Sequence, residues 1–219
     1  MDAFQVVRDF ERALCEYTGA PYAVTTTSCT MALLLAVAWH LRGGIWYCDF
    51  EKREPIEIPK RTYVSVPMSI IHAGGRPTFR DEDWRGMYQL KPLPVWDSAR
   101  LFTSGIWEFP WQGVDYQGPA HGYMIGLSFH WAKTLGIQQG GAILHDHAGA
   151  DAWLRRARFD GRNEGVTPAM DKFTQLGWHA YMSPEVAAEG LVRLSHLPKH
   201  NEPLPNDDYP DLSTLEIFR

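Results

Sequence analysis

Apolar and polar positions alternate with helical and strand spacing along most of this chain. From Phe4, the residues Val7, Phe10, Leu14 and Tyr17 recur at about helical spacing with charged residues between them. Gly19 closes the run, so an amphipathic helix is predicted there. Tyr22-Ala23-Val24, the polar turn Thr25-Thr26-Thr27-Ser28 and the apolar run from Thr30 to Leu41, ended by Gly43-Gly44, predict strand, hydroxyl-rich loop and helix. Such a loop presents amides and hydroxyls to an anion. Pro55 to Pro59 alternates as a short strand, Val66 to Ala73 predicts a helix closed by Gly74-Gly75, and Pro77 to Arg80 reads as a strand. Only a short connection, Met87 to Pro94, is expected before the strand Pro94-Val95-Trp96 that leads into Asp97. Gly122 to Phe129 and Gly141 to Leu144 read as strands, the second turning back after the loop Gln138 to Gly140. Helices are predicted at Ala150 to Arg158 and at Ser183 to Leu197. This order argues for an α/β fold with parallel strands and helical crossovers, whose ligand sits at the C-terminal ends of the strands. After Pro198 the run Asn201 to Asp208 is proline-rich and acidic, which predicts an extended tail over 198–219 following a domain over 1–197.

The 219 residues are 45% hydrophobic, enough for one substantial core. The formal net charge of -5, with no basic run, excludes an electrostatic footprint for nucleic acid. Cys15, Cys29 and Cys48 are too few and too irregularly spaced for a disulfide framework or a zinc site, so a reducing, cytoplasmic setting is expected. No apolar stretch is long enough to span a bilayer, and Met1-Asp2-Ala3-Phe4 lacks the basic start of a secretion signal; no membrane partner is expected. His145-Asp146-His147 lacks a third ligand cluster and reads as a solvated turn rather than a metal site.

The chemistry concentrates in Ser128-Phe129-His130-Trp131-Ala132-Lys133 and in Gly140-Gly141, which opens the next apolar run. A hydroxyl ending a strand, a lysine five residues later and a glycine pair form a constellation that can seat pyridoxal phosphate and hold it as an imine. Taken singly, each residue has a plainer reading: Lys133 as a solvated surface charge, Asp97 as a turn former, Ser128 and Thr30 as caps, Tyr63 as core.

Together the blocks resemble the DegT/DnrJ/StrS aminotransferases, a fold-type-I pyridoxal phosphate family that aminates keto sugars attached to nucleotides. Phe10-Glu11 to Gly19-Ala20 with Ser28-Cys29-Thr30-Met31-Ala32-Leu33 is similar to its opening block. Ile58 to Val64 with Gly75 to Phe79, Val95 to Ala99, and Ser128 to Gly141 are similar to three further blocks, with weaker echoes in Arg158 to Gly161 and Gly177 to Ala188. The resemblance implies a three-layer α/β/α sandwich around a mostly parallel sheet, trimmed to the large domain and lacking the C-terminal one, in a homodimer. It implies that Lys133 carries the cofactor and shuttles the proton, and that Asp97 faces the pyridine nitrogen. Ser128 and the amides of Cys29 and Thr30 would hold the phosphate, and Tyr63 would stack on the ring. Amino transfer from a donor such as glutamate to a keto acceptor, such as a nucleotide-linked sugar, is the implied reaction. Lys133 argues against the family's dehydratase branch, in which histidine stands at that position.

Several positions depart from the family pattern. Arg100 stands where a glutamine usually lies near the cofactor phenolic oxygen; a guanidinium there can still donate, and its charge favours the phenolate. Gln139 replaces a glutamate, His179 and Tyr181 replace an asparagine and an arginine that reach the neighbouring subunit, and Asp160 replaces a histidine. The sequence leaves open whether Arg158, Arg162 or His179 anchors substrate. It also leaves two other readings standing: a non-catalytic binding or regulatory protein, and another pyridoxal phosphate reaction such as racemisation or elimination.

Overall fold

The computed structural model describes residues 2–42, 54–111, 122–206 and 209–218. Gly43-Gly44, predicted to end the second helix, and Cys48 and Asp207-Asp208 lie outside them.

Helix α1 (Gln5–Thr18) ends where predicted, because Gly19 takes the left-handed conformation at φ 82° and returns its N–H to the Cys15 carbonyl. Strand β1 (Tyr22–Thr26) and helix α2 (Cys29–Arg42) follow. The run from Ala32 to His40 is buried throughout, which explains its nearly unbroken apolar sequence: α2 lies between the sheet and two other helices. Next come β2 (Ile56–Pro59), α3 (Ser65–Ala73), β3 (Pro77–Arg80), β4 (Tyr88–Gln89), β5 (Val95–Ser98), β6 (Met124–Ser128), β7 (Gly141–His145), α4 (Ala148–Ala157) and α5 (Pro184–His196). The Ser183 hydroxyl caps α5 by accepting from the Val186 amide, with Pro184 in its first turn.

Five strands form one sheet in the order β1-β7-β6-β5-β4. The expected mostly parallel sheet is instead mixed: β5 pairs parallel with β6, whereas β1–β7, β6–β7 and β4–β5 are antiparallel. Connection length explains much of this. Five residues join β4 to β5 and no helix intervenes between β6 and β7, so neither pair has the crossover that a parallel neighbour needs. The parallel pair β2–β3 stands as a separate two-stranded sheet, tied to the turn after β4 by the bridge between Glu57 and Lys91.

Side chains alternate across the large sheet. Val24, Val95, Met124 and Ile143 join the cluster that contains α2, α3 and α4 residues, while Ala23, Ile125, Leu127, Ala142 and Leu144 join the one with α1 and α5 residues. Helices thus cover both faces. β1, β5 and β6 run in one direction, so Thr26, Ser98 and Ser128 all end at the same edge.

The segment after Pro198 is extended but bound back. The Leu204 amide donates to the Arg100 carbonyl (2.8 Å), the Leu212 amide to that of Lys60 (2.9 Å), and Asn206 Nδ2 to that of Trp84 (2.7 Å). Two 3-10 turns, Leu212–Thr214 and Glu216–Phe218, close it.

Candidate active site

The edge where β1, β5 and β6 end gathers the chemistry. The turn Thr27-Ser28 leads straight into α2, and the Ser28 hydroxyl accepts from the Met31 amide at 3.2 Å. The amides of Cys29 and Thr30 come ahead of any carbonyl that the helix itself offers, and no acidic residue occupies that first turn. Gly141, in register with both Thr26 and Ser128, permits this loop: a Cβ there would lie 2.5 Å from the Cys29 nitrogen and the Ser28 carbonyl carbon. Thr30 commits its hydroxyl to Ser65 Oγ (2.8 Å) and its carbonyl to the Ser69 hydroxyl (3.0 Å), stitching α2 to α3. Its amide is therefore the group it can offer an anion.

Asp97 sits on β5 beside Gly126 of β6, 4% exposed. Its Oδ1 accepts from the Ala99 amide at 2.9 Å and lies 3.9 Å from Cys29 Sγ. Its Oδ2 accepts from the Tyr88 hydroxyl at 2.8 Å. Burial lifts this carboxyl above the ordinary aspartate value, although Tyr88 and the Ala99 amide pull it down. Burial, and then the Asp97 charge, push the Cys29 thiol well above its usual value, so it stays protonated at neutral pH.

Lys133 is half-buried in the tight turn after β6, where its amide donates to the His130 carbonyl at 2.7 Å. Gly136, at φ 63°, closes that turn: a Cβ there would meet the Lys133 and Trp131 carbonyls at 3.2 Å. Burial first and the Arg100 charge second lower the ammonium below the ordinary lysine value, and Asp97 opposes them. Lys133, Asp97, Arg100 and Cys29 thus act on one another within a single cluster. Arg100 is itself 6% exposed, and its Nε and Nη2 donate to the Tyr209 hydroxyl at 3.2 and 2.9 Å. Ser128, 9% exposed, ends β6 beside this cluster. Tyr63 stands 58% exposed ahead of α3, one residue beyond Thr62, whose hydroxyl meets Tyr88 Oη at 2.7 Å. Tyr63 is therefore not core.

Other predicted residues fall elsewhere. Arg158 is buried, donating to Glu11 and to the Thr25 carbonyl (2.7 Å), which takes it out of substrate binding. Arg162 donates to the Val166 carbonyl at 3.2 Å. His145, expected in a solvated turn, is instead fully buried on β7 with Tyr22 stacked on it at 5.2 Å; the strand runs one residue further than its apolar pattern. His147 Nδ1 accepts from the Ala150 amide and caps α4, and among the described residues no group of three or more metal-binding side chains is found. A cleft of about 820 Å³ lies away from Lys133 and Asp97, lined by Arg8, Glu11, Arg12 and Arg155 among others. Arg8 and Arg155 are already paired there with Asp2, Glu164, Glu11 and Asp151.

Sequence reasoning missed Tyr88, Thr62 and Tyr209. β4 has only two residues, too few for an alternation to show, and Tyr209 lies in a segment that reads as tail. The prolines Pro92 and Pro94 in the five-residue link, flanked by Gln89 and Val95, are the one hairpin signal available.

The arrangement brings together the first-turn amides of α2, a buried carboxylate 3.9 Å from Cys29 Sγ and a half-buried lysine on which that carboxylate acts. Residues 2–99 match the DegT/DnrJ/EryC1/StrS aminotransferase family, so the resemblance read from the motifs is shown over that segment. Over 77 residues the chain is 36% identical to the spore coat polysaccharide biosynthesis protein SpsC of Bacillus subtilis, covering 35% of this chain and 18% of that protein. Its fold is similar to that of the sugar aminotransferase CalS13 from Micromonospora echinospora, with a TM-score of 0.66 at 17% identity over 87% of this chain and 60% of that one. It is similar also to AtS13 from Actinomadura melliaura, with a TM-score of 0.65 at 21% identity over 87% and 59%. The chain spans about three fifths of the length of these solved relatives.

Proposed function

We propose that this chain binds pyridoxal phosphate and transfers an amino group from a donor such as glutamate to a keto acceptor, a nucleotide-linked keto sugar being the acceptor class. CalS13 is described as a sugar aminotransferase and SpsC as a polysaccharide biosynthesis protein, which favours that class. A cytoplasmic homodimer is the assembly that goes with this reading. The observation that carries it is the Asp97 carboxylate, 4% exposed and 3.9 Å from Cys29 Sγ at the start of α2, with the half-buried Lys133 in the turn after the neighbouring strand β6.

The donor set fits the cofactor. Asp97 accepts from the Ala99 amide and, at 3.9 Å, the Cys29 thiol on Oδ1 and from Tyr88 on Oδ2, which keeps a lone pair on Oδ2 for a ring N–H. The amides of Cys29 and Thr30, with Ser128, suit a phosphate, and the exposed Tyr63 ring is free to stack. When bound, pyridoxal phosphate supplies the electron sink for carbanion chemistry. Asp97 would hold a proton on the ring nitrogen. Lys133, with its ammonium lowered by burial and Arg100, would give up a proton more readily than an ordinary lysine and then take and return one at the substrate carbon. Arg100 offers a fixed cation to an oxyanion beside the lysine.

The test is a single-turnover reaction: cofactor-loaded protein mixed with L-glutamate should form 2-oxoglutarate in stoichiometric amount, and Lys133→Ala should form none. D-glutamate appearing instead would assign a racemase. Neither product, with glutamate and alternative donors, would sink the aminotransferase reading.

A further inference from the structure

We propose that Tyr88 is a positioning residue for Asp97, forming with Thr62 a hydrogen-bonded chain that fixes which lone pair of the carboxylate faces the cofactor; this rests on the reading of the site given above. The geometry sets the direction of the chain. An ionised carboxylate only accepts, so the single phenolic proton of Tyr88 goes to Asp97 Oδ2 at 2.8 Å, and the Thr62 hydroxyl must donate to Tyr88 Oη at 2.7 Å. Thr62 and Tyr88 are 1% and 4% exposed, so water does not compete for either bond. Tyr88 is held in register as well: on β4 it pairs directly with Asp97 of β5. Its ring meets the edge of Trp84 at 4.7 Å, and Trp84 in turn stacks on Tyr209 at 6.3 Å. Burial, with the charge of Asp97 second, pushes the phenol well above its usual value, so it remains a donor throughout the working range. The other groups that act on Asp97 are Cys29 from α2, the Ala99 amide, and Lys133 from the turn after β6. Of these only Tyr88 and Ala99 make short bonds to it, one on each oxygen. Tyr88 therefore fixes the orientation of the carboxylate while leaving Oδ2 a lone pair; Oδ1 takes the Ala99 amide and the longer Cys29 contact. It stands in the short β4 hairpin, so the segment that links β3 to β5 itself supplies the support.

The test uses Tyr88→Phe, which keeps the ring against Trp84, and Thr62→Val, which keeps the phenol and removes its donor. In protein without cofactor, carboxyl-13C aspartate labelling follows the Asp97 signal, assigned with Asp97→Asn. The midpoint of its titration should move up in Tyr88→Phe and by less in Thr62→Val, with thermal unfolding confirming that both fold. With 15N-labelled pyridoxal phosphate, the ring nitrogen of the loaded protein should lose part of its protonated signal in Tyr88→Phe at a pH where the parent retains it. An Asp97 midpoint unchanged in Tyr88→Phe overturns the role of Tyr88. A parent protein that does not take up the cofactor overturns the reading of the site, and the two failures are seen in separate measurements.

Discussion

His179 and Asp160, two of the positions at which the chain departs from the family pattern, bond to each other, Nδ1 to Oδ2 at 3.0 Å. The backbone brings them together through the bridge between Phe159 and His179. Gly161 and Gly177 allow the two segments to touch, since a Cβ on Gly177 would fall 1.9 Å from the Gly161 nitrogen. The two replacements therefore form one structural unit. Both side chains are largely exposed, so a double-mutant cycle of Asp160→Ala and His179→Ala by urea unfolding should give a coupling of about 0.2–1 kcal/mol and no more.

Glu11 carries a larger share of stability. It is 3% exposed and receives the Thr25 amide (2.9 Å) and hydroxyl (2.8 Å), Arg155 (2.6 Å) and the buried Arg158. Burial raises its carboxyl, yet Arg158 and Arg155 outweigh that and hold it below the usual glutamate value. Glu11→Gln leaves the buried Arg158 cation with Glu164, at 3.7 Å, as its counter-charge, and unfolding free energy should fall by as much as about 3 kcal/mol. Denaturant midpoints check this; a loss below 1 kcal/mol would refute it.

Gly141→Ala tests the loop before α2. The added Cβ meets backbone at 2.5 Å, which cannot yield as a side-chain tip can, so Thr27 to Cys29 must shift. Stability should drop by about 1–3 kcal/mol, and cofactor affinity should fall with it because the Cys29 and Thr30 amides move. Equilibrium dialysis against the cofactor reads the second effect.

Acid should destabilise the fold through His40. Burial pushes this imidazole down to about 4 from 6.5, so between those values the unfolded chain binds the proton and the native chain does not. Stability thus falls as pH drops through 6.5 and levels off below about 4, with a loss of roughly 3 kcal/mol from this group. Asp97 acts with the opposite sign: raised in the fold, it costs stability at pH above its native value, so Asp97→Asn should unfold at the same or higher temperature at pH 7 while losing cofactor. Scanning calorimetry at pH 5 and pH 7 separates the two contributions.

Much of the fold was legible because its elements end on glycines and caps. Gly19 and Gly74 adopt left-handed conformations and close their helices, and Ser183 opens α5. Strand direction was less legible, since it follows from partners distant in sequence: β7 pairs with β1 across more than a hundred residues. That Asp97 lies near enough to Lys133 to act on it is what the family resemblance implied. The Tyr88–Thr62 and Tyr209–Arg100 bonds could not be read in advance, because they depend on where a two-residue strand and a proline-rich segment are packed.

If Lys133 and Asp97 form a pyridoxal phosphate site, the absorbance spectrum of the protein titrated with the cofactor, beside Lys133→Ala, reads it directly. The parent protein should show a visible band shifted from that of free cofactor, saturating at one equivalent per chain and absent from the variant. The same spectrum for both proteins, or that of free cofactor for each, would contradict such a site.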